Sequence, residues 1–263
     1  TGESIGKLFM AGIIPGVLLA LLYCLLIITR ALRGDIKVVE PRSSWRERFE
    51  SVKRAFWGLA IIPVIIGGMY VGWFTPTEAA AVGVALALIV SGLIYRTLKI
   101  RDMIPTLMEA LTPSVMIYAI LLGASLFNYM ITLYGIPAVV TDWVINLGLH
   151  PLATIFMLNF LFLILGCFVD AVTLMLITLP LAYPVVTSLG FSGIWFGIVL
   201  MVNFNMAVET PPVGLNLYVL KGISKDITLS DIIRGVTPFY LCEIVGLILT
   251  ILFPVLSLSL IHI

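Results

Sequence analysis

The sequence is poor in charged residues. Asp, Glu, Lys and Arg together make up 11% of the 263 residues, whereas 61% are hydrophobic. Soluble domains carry about 25% charged residues, so this composition excludes a soluble domain and predicts a membrane protein that crosses the bilayer several times. The net charge of +1 gives no indication of a basic nucleic-acid-binding fold.

Cysteine and histidine are scarce as well. Cys24, Cys167 and Cys242 stand inside apolar runs without a CxxC spacing, so we interpret them as packing residues. His150 and His262 are too far from one another, and from any cysteine cluster, to predict a metal site. The sequence lacks a GxxxxGK(S/T) loop for ATP, so any activity that needs energy would have to draw on an ion gradient or a partner. It also lacks the nucleophile–base pair or Asp-rich motif that would indicate an enzyme.

Long apolar runs are what the sequence has instead. A bilayer span needs about 20 apolar residues. The runs predicted to span are residues 9–28, 57–74, 79–95, 111–133 and 236–260. Thr75 or Thr77 is expected to cap the third of these, with Glu78 in its first turn, although Glu78 could alternatively contact a substrate or another subunit. Glu243, inside the last span, could be a buried polar contact or lie near the interface, and it receives no predicted role.

Basic residues cluster between the spans. Residues 30–54 hold eight of the fifteen Lys and Arg, and the apolar side chains near their end recur at helical spacing. This pattern predicts an amphipathic helix on the bilayer surface. Residues 100–109 and 134–150 are predicted as short amphipathic or interfacial helices. The positive-inside rule places residues 30–54, 96–101 and 221–234 on the cytoplasmic side.

Residues 204–218 interrupt a segment that would otherwise read as one membrane helix. Pro211 and Pro212 lack backbone N–H groups and crowd the carbonyls of Ala207 and Val208, so the helix has to break and can restart after Gly214. Inside a bilayer, freed backbone groups are tolerated only where protein or a wet cavity surrounds them. We therefore predict a site for an ion or polar solute, the alternative being a proline kink. The polar residues around the break are Asn203, Asn205, Glu209, Thr210 and Asn216.

Asp170 is the one charge in residues 151–208. An acidic residue at membrane depth predicts a functional site. It divides its segment into residues 152–169 and 171–186, which would form a hairpin with Asp170 at the tip. Asp170 and Thr173 could also cap the returning helix. Both roles are compatible, because a buried tip must face a wet or liganded space.

A weak internal similarity favours a repeat architecture. Residues 4–9 (SIGKLF) and 228–233 (TLSDII) are each followed by a Gly-x-x-Pro sequence, at spacings that differ by one residue. The spans they precede run in opposite predicted directions, which is typical of inverted-repeat secondary transporters. On this basis we expect residue 1 to follow a first copy of the broken helix, in a longer polypeptide.

Three motifs together resemble one family. Residues 74–81 read FTPTEAAA, residues 166–180 surround Asp170, and residues 209–217 read ETPPVGLNL. With the opening SIGKLFMAGIIPG, they resemble the large membrane subunit of the tripartite ATP-independent periplasmic (TRAP) transporters, in the ion transporter superfamily. The resemblance covers essentially all of the chain. The first half of that family, with its own hairpin and Pro-Pro break, is missing, so the chain resembles the C-terminal part.

The resemblance implies an all-α polytopic membrane protein, the second half of an inverted-repeat, elevator-type transporter with a re-entrant hairpin and a broken helix. The implied activity is sodium-coupled import of small organic acids, such as C4-dicarboxylates or sialic acid, across a bacterial inner membrane. The implied partners are a small four-helix membrane subunit, separate or fused, and a periplasmic substrate-binding protein. An ion or organic-anion channel without a soluble receptor is the alternative.

The resemblance also places sodium and substrate at the hairpin tip and the broken helix. Sodium is a hard cation, and backbone carbonyls, hydroxyls and amides would supply its oxygen ligands without a buried fixed charge. The predicted sodium-binding residues are Asp170, Thr173, Asn203, Ala207, Val208, Thr210, Pro211, Pro212 and Gly214. The predicted substrate-binding residues are Thr210, Gly214 and Asn216.

The predicted regions are residues 1–29 (end of the first repeat), 30–54 (cytoplasmic arm), 55–109 (scaffold pair and connector), 110–235 (transport half, with the hairpin at 152–188 and the broken helix at 191–220) and 236–263 (last span).

Overall fold

A computed structural model describes residues 2–34, 43–211, 214–223 and 227–261. Every regular element in these ranges is a helix, and six helices are long and apolar enough to cross a membrane. This confirms the predicted all-α polytopic class. The orientation of the hairpin relative to a bilayer and the elevator movement stay predictions. The chain divides into two compact units, residues 34–116 and residues 1–33 with 117–263.

The unit of residues 34–116 is built on a pair of packed helices. Ser44 and Glu47 form a reciprocal capping box at the start of the first helix, and Thr75 and Glu78 form another at the second. Gly68 lies against the ring of Phe74, where a Cβ atom would come within 2.3 Å of the ring. These helices are α2 (Trp45–Val71) and α3 (Pro76–Leu88), which continues as a π-helix (Ile89–Ile94).

Two predicted boundaries in this part of the chain differ from the structure. Residues 45–56 and 57–71 form the single helix α2, and residues 100–109 and 111–133 form the single helix α4 (Ile100–Leu133). A change from amphipathic to apolar composition does not end a helix, because the backbone hydrogen bonds continue through it. Pro105 and Pro113 stand inside α4, and proline is tolerated in membrane helices.

The unit of residues 1–33 and 117–263 is arranged around α8 (Gly193–Ala207). Most side chains of this helix are buried. It packs against α1 (Ile5–Leu32), α6 (Pro151–Gly166), α7 (Ala171–Ser188), α10 (Leu229–Leu252) and α11 (Val255–Leu258). The Trp195 indole, almost completely buried, donates to the backbone carbonyl of Thr250 at 2.9 Å and stacks on the ring of Phe191. The helices of this unit are α1 (Ile5–Leu32), the second part of α4, α5 (Ile136–Asn146), α6 (Pro151–Gly166), α7 (Ala171–Ser188), α8 (Gly193–Ala207), α9 (Leu215–Ile223), α10 (Leu229–Leu252) and α11 (Val255–Leu258), with a final 3-10 turn (Ser259–Ile261).

The predicted hairpin and broken helix correspond to α6–α7 and α8–α9. The last span begins earlier than predicted, because Thr228 and Asp231 form a capping box that starts α10 at Leu229. It also ends earlier, at Leu252, two residues before Pro254. A proline lacks the N–H that would continue the backbone bonding, so α11 is a separate turn.

Candidate functional site

The hairpin tip is shaped by an N-terminal cap. α6 ends at Gly166 and α7 begins at Ala171. Asp170 Oδ1 accepts from the backbone N–H groups of Val172 and Thr173, each at 3.0 Å, and the Thr173 hydroxyl donates to Oδ2. Among the described residues, all hydrogen bonds of the Asp170 side chain lie within this cap. The structure therefore shows the capping role of Asp170 and Thr173, while their role as sodium ligands stays a prediction.

The break between α8 and α9 is closed by local hydrogen bonds. The Met206 carbonyl accepts from the Glu209 N–H at 3.2 Å and from the Thr210 hydroxyl at 2.7 Å. The Ala207 carbonyl accepts from the Thr210 N–H at 3.1 Å. These contacts turn the chain immediately after α8, and they place the Thr210 hydroxyl on the backbone of the preceding helix.

The Val208 carbonyl bridges the break. It accepts from the Asn216 N–H, in the first turn of α9, at 3.2 Å. The Ala207 and Val208 carbonyls were predicted to be freed by the prolines, but each already accepts one backbone hydrogen bond. A carbonyl oxygen has two lone pairs, so each retains the capacity to bind a cation. The Asn216 side chain is exposed.

Gly214 is required by the geometry of the restart. Its φ of +54° lies in the left-handed region, which costs other residues roughly 1–2 kcal/mol. A Cβ atom there would also lie 2.8 Å from Leu217 Cδ1 and 3.1 Å from the Thr210 carbonyl oxygen. Pro211 is half-buried before this turn. Pro212, another predicted ligand, lies outside the described residues.

The hairpin tip and the broken helix meet at one close contact. A Cβ atom on Gly166, the last residue of α6, would come within 2.5 Å of Ala207 Cβ, the last residue of α8. Only a residue without a side chain allows this approach. The two segments predicted separately from Asp170 and from the Pro-Pro pair thus lie side by side.

A buried pair of asparagines links the same two helices. Asn203 on α8 donates from Nδ2 to the carbonyl oxygen of Asn159 on α6 at 2.8 Å and to its Oδ1 at 3.1 Å. Both side chains are almost completely buried, and Asn203 Oδ1 has no hydrogen-bond partner. The structure therefore leaves an amide oxygen of a predicted sodium ligand unused. Asn159 was missed in the sequence, although an amide inside the apolar run 151–169 is a signal that could have found it.

A second polar cluster, whose members were not predicted to contact one another, lies beside the break. Glu243 of α10 is 2% exposed, and its Oε1 accepts from the Tyr23 hydroxyl of α1 at 2.6 Å. The same oxygen accepts from Asn205 Nδ2, near the end of α8, at 3.2 Å. Three helices are therefore joined through one carboxyl oxygen.

The end of α8 and the break that follows it present several neutral oxygen atoms. In the described part of the chain, no group of three or more His, Cys, Asp or Glu side chains could hold a metal ion. The neutral oxygen atoms belong to the Ala207 and Val208 carbonyls, the Asn203 amide and the Thr210 hydroxyl, and the carboxyl group of Glu209 stands in the same stretch of sequence. Neutral oxygens at a broken helix suit a cation that must bind and leave.

Comparisons with known proteins agree with the motifs. A family model described as "Tripartite ATP-independent periplasmic transporter, DctM component" matches residues 1–256. The chain is 37% identical over 260 residues to a C4-dicarboxylate TRAP transporter large permease protein of Rhodobacter capsulatus, covering 99% of this chain and 59% of the relative. It is 34% identical over 262 residues to a sialic acid TRAP transporter large permease protein of Vibrio cholerae, covering 99% and 60%. It is 30% identical over 261 residues to an ectoine/5-hydroxyectoine TRAP transporter large permease protein of Ruegeria pomeroyi, again covering 99% and 60%. The chain spans about three fifths of the length of these curated relatives.

Proposed function

Because the chain belongs to the DctM component family of tripartite ATP-independent periplasmic transporters, a multi-pass family of the bacterial inner membrane, we propose that the full-length protein is a permease subunit importing small organic acids. Carboxylates such as C4-dicarboxylates or sialic acid are the proposed substrates, since relatives are named for these acids. A sodium gradient supplies the energy in this proposal. The proposed partners are a small four-helix membrane subunit and a periplasmic substrate-binding protein.

The observation that carries the proposal is the contact between Gly166 and Ala207. It brings a hairpin tip against a helix break, so two sets of helix ends converge on one place. Helix ends carry backbone groups without intrahelical partners, and secondary transporters bind ions and substrates at such discontinuities. In the proposed site, the Ala207 and Val208 carbonyls, Asn203 Oδ1 and the Thr210 hydroxyl face sodium. Gly214 and Asn216 stand on the substrate side.

Sodium is a co-transported ion in this proposal. The Thr210 hydroxyl donates to the Met206 carbonyl, so its oxygen lone pairs remain to accept or coordinate. Asn203 Oδ1 is buried and has no hydrogen-bond partner, which is energetically costly. A bound, dehydrated cation would remove this cost by coordinating the oxygen. These two oxygens are the side-chain groups that we expect to matter most for coupling.

Uptake in proteoliposomes tests the proposal. The full-length complex is reconstituted with its binding protein, and uptake of labelled C4-dicarboxylates and sialic acid is measured with and without an inward sodium gradient. We expect uptake of at least one acid to require both sodium and the binding protein. Uptake that is indifferent to both would overturn the proposal and favour the channel alternative.

A matched pair of threonine variants tests the site. Thr210→Val removes a hydroxyl that donates to the carbonyl four residues earlier at 2.7 Å, and Thr237→Val removes one with the same geometry in α10, outside the two helices that flank the break. We expect Thr210→Val to need a roughly tenfold higher sodium concentration, a loss of about 1.4 kcal/mol of binding free energy, while Thr237→Val behaves like the wild type. Equal sodium dependence in both variants would show that the Thr210 hydroxyl has only a structural role.

A further inference from the structure

Glu243 has an uneven hydrogen-bond pattern. Its Oε1 accepts from both Tyr23 and Asn205, at 2.6 and 3.2 Å, whereas its Oε2 is buried and has no partner. An ionised carboxylate shares its charge over both oxygens and needs donors at each. A neutral carboxylic acid has one carbonyl oxygen that accepts and one hydroxyl oxygen. The neutral acid with Oε1 as the carbonyl oxygen fits this pattern better than the carboxylate does, because a buried O–H group without an acceptor costs less than a buried charge without a donor.

Among the residues that the structure describes, no positive charge compensates Glu243. In the parts of the chain that the structure describes, no Lys, Arg or His side chain forms an ion pair with it. Glu209, which follows α8, acts on it electrostatically as a second carboxyl group. An unpaired charge in a buried place is costly, and a neighbouring carboxyl group raises that cost.

The groups on the packed elements do not change this balance. The titratable groups that interact with Glu243 are Tyr23 from α1, Glu209 after α8, and Tyr240 and Cys242 on α10 itself. The helix α9 also packs on α10, and its charged residue is Lys221. The Lys221 ammonium donates to the Ile227 carbonyl at 2.6 Å. The other charged residues of α1 and α10 that the structure describes stand near the helix ends, namely Lys7, Arg30, Asp231 and Arg234.

We propose that Glu243 is a proton-binding site, and that its carboxyl group carries a proton on Oε2 in this conformation. The proton comes from water and returns to water when a change of conformation opens Oε2 to solvent. Because Glu243 joins α1 and α10 to the last turn of α8, two residues before that helix ends, its proton holds the three helices together beside the break. The inference goes beyond the proposed transport activity and does not depend on it.

Infrared spectroscopy of the full-length protein in lipid tests this directly. At neutral pH, a protonated carboxylic acid gives a carbonyl-stretch band that an ionised carboxylate lacks. We expect the wild-type spectrum to contain such a band and the Glu243→Gln spectrum to have lost it. The matched control is Glu50→Gln, because Glu50 is half-exposed on α2 and forms an i,i+4 ion pair with Arg46. This variant should leave the band unchanged.

A second variant keeps the test decisive if Glu243→Gln folds poorly. Tyr23→Phe removes a donor to the carbonyl oxygen but leaves the carboxyl group in place. The band should then persist and move to higher frequency, because a carbonyl that loses a hydrogen bond stiffens. A spectrum in which neither variant removes or shifts a carboxylic-acid band would show that Glu243 is ionised and would overturn the proposal.

Discussion

Asn203 on α8 donates both to the backbone carbonyl and to the side-chain oxygen of Asn159 on α6. This double contact sets the rotation of α8 against the hairpin, one turn before α8 ends at Ala207. The contact therefore connects a predicted sodium ligand to a residue that the motifs did not indicate. It also leaves Asn203 Oδ1 buried and without a partner.

Removing either asparagine should destabilise the protein. Asn203→Ala leaves the Asn159 side-chain oxygen buried and unpaired, which costs about 1–3 kcal/mol. Asn159→Ala should cost a similar amount, and the double variant clearly less than the sum, because both changes remove one contact. Thermal unfolding in detergent measures all three. The control is Asn146→Ala on the exposed end of α5, which should be close to neutral. Strictly additive effects would contradict the pairing.

The contact between the hairpin tip and α8 makes a second prediction. Gly166→Ala places a Cβ atom 2.5 Å from Ala207 Cβ and 3.2 Å from Leu174 Cδ2, so one of the segments has to move. Overpacking of this kind costs about 1–3 kcal/mol. We expect a lower unfolding temperature together with reduced uptake, because the tip is displaced from the break.

Two further variants test whether the contact with Ala207 causes the loss of stability in Gly166→Ala. Adding Ala207→Gly to Gly166→Ala removes the opposing methyl group and should recover part of the stability. Gly123→Ala, in the middle of α4, adds a methyl group where no atom lies within 4 Å. It should be neutral or stabilise by about 0.5–1 kcal/mol. If Gly166→Ala behaves like Gly123→Ala, the close contact does not matter for stability.

The features that the sequence could predict are local. The cap at Asp170 was predictable because a capping side chain bonds to N–H groups two and three residues ahead of it. The break after Ala207 was predictable because proline acts on the backbone beside it. The resemblance to the family rested on the same local motifs, and the family comparison confirms it.

The features that the sequence could not predict are pairings between distant helices. Tyr23 and Glu243 are 220 positions apart, and their hydrogen bond depends on how α1 and α10 are rotated against each other. Apolar helices such as α8 are hydrophobic on every face, so their sequence does not indicate which side meets which neighbour. Asn159 and Asn203 could be seen as polar exceptions, but not as partners.

The two roles of Asp170 can be separated by substitution. Asp170→Asn keeps a side-chain oxygen that can accept from Val172 and Thr173, whereas Asp170→Ala removes the cap of α7. If capping is the whole role, the alanine variant loses about 0.5–2 kcal/mol of stability and the asparagine variant retains stability and uptake. If Asp170 also contributes to the sodium site, we expect Asp170→Asn to fold normally and still need more sodium.

The reference for a lost cap is Ser44→Ala. Ser44 caps α2 in the other compact unit with the same side-chain-to-N3 geometry. Uptake assays and thermal unfolding, run on all three variants, give the comparison. A loss of uptake in Asp170→Ala that is matched by Ser44→Ala would be an effect of stability alone.

Gly214 and Gly190 provide a test of the restart after the break. Both have positive φ angles, +54° and +85°. An alanine in this left-handed conformation should therefore lower the free energy of unfolding by about 1–2 kcal/mol at either position. Only at Gly214 does the added Cβ atom meet neighbours, because it lies 2.8 Å from Leu217 Cδ1 and 3.1 Å from the Thr210 carbonyl, whereas nothing lies within 4 Å at Gly190. We expect both variants to unfold at lower temperature.

Uptake should distinguish them. Gly214→Ala pushes the Thr210 carbonyl and the first turn of α9 apart, which disturbs the Val208–Asn216 bridge. We expect it to abolish uptake or to shift its sodium dependence strongly, while Gly190→Ala transports normally once corrected for the amount of folded protein. Retained uptake in Gly214→Ala would mean that the break tolerates rearrangement. The oxygens around it would then not form a fixed site, because a site for a dehydrated cation requires its ligands to keep their positions.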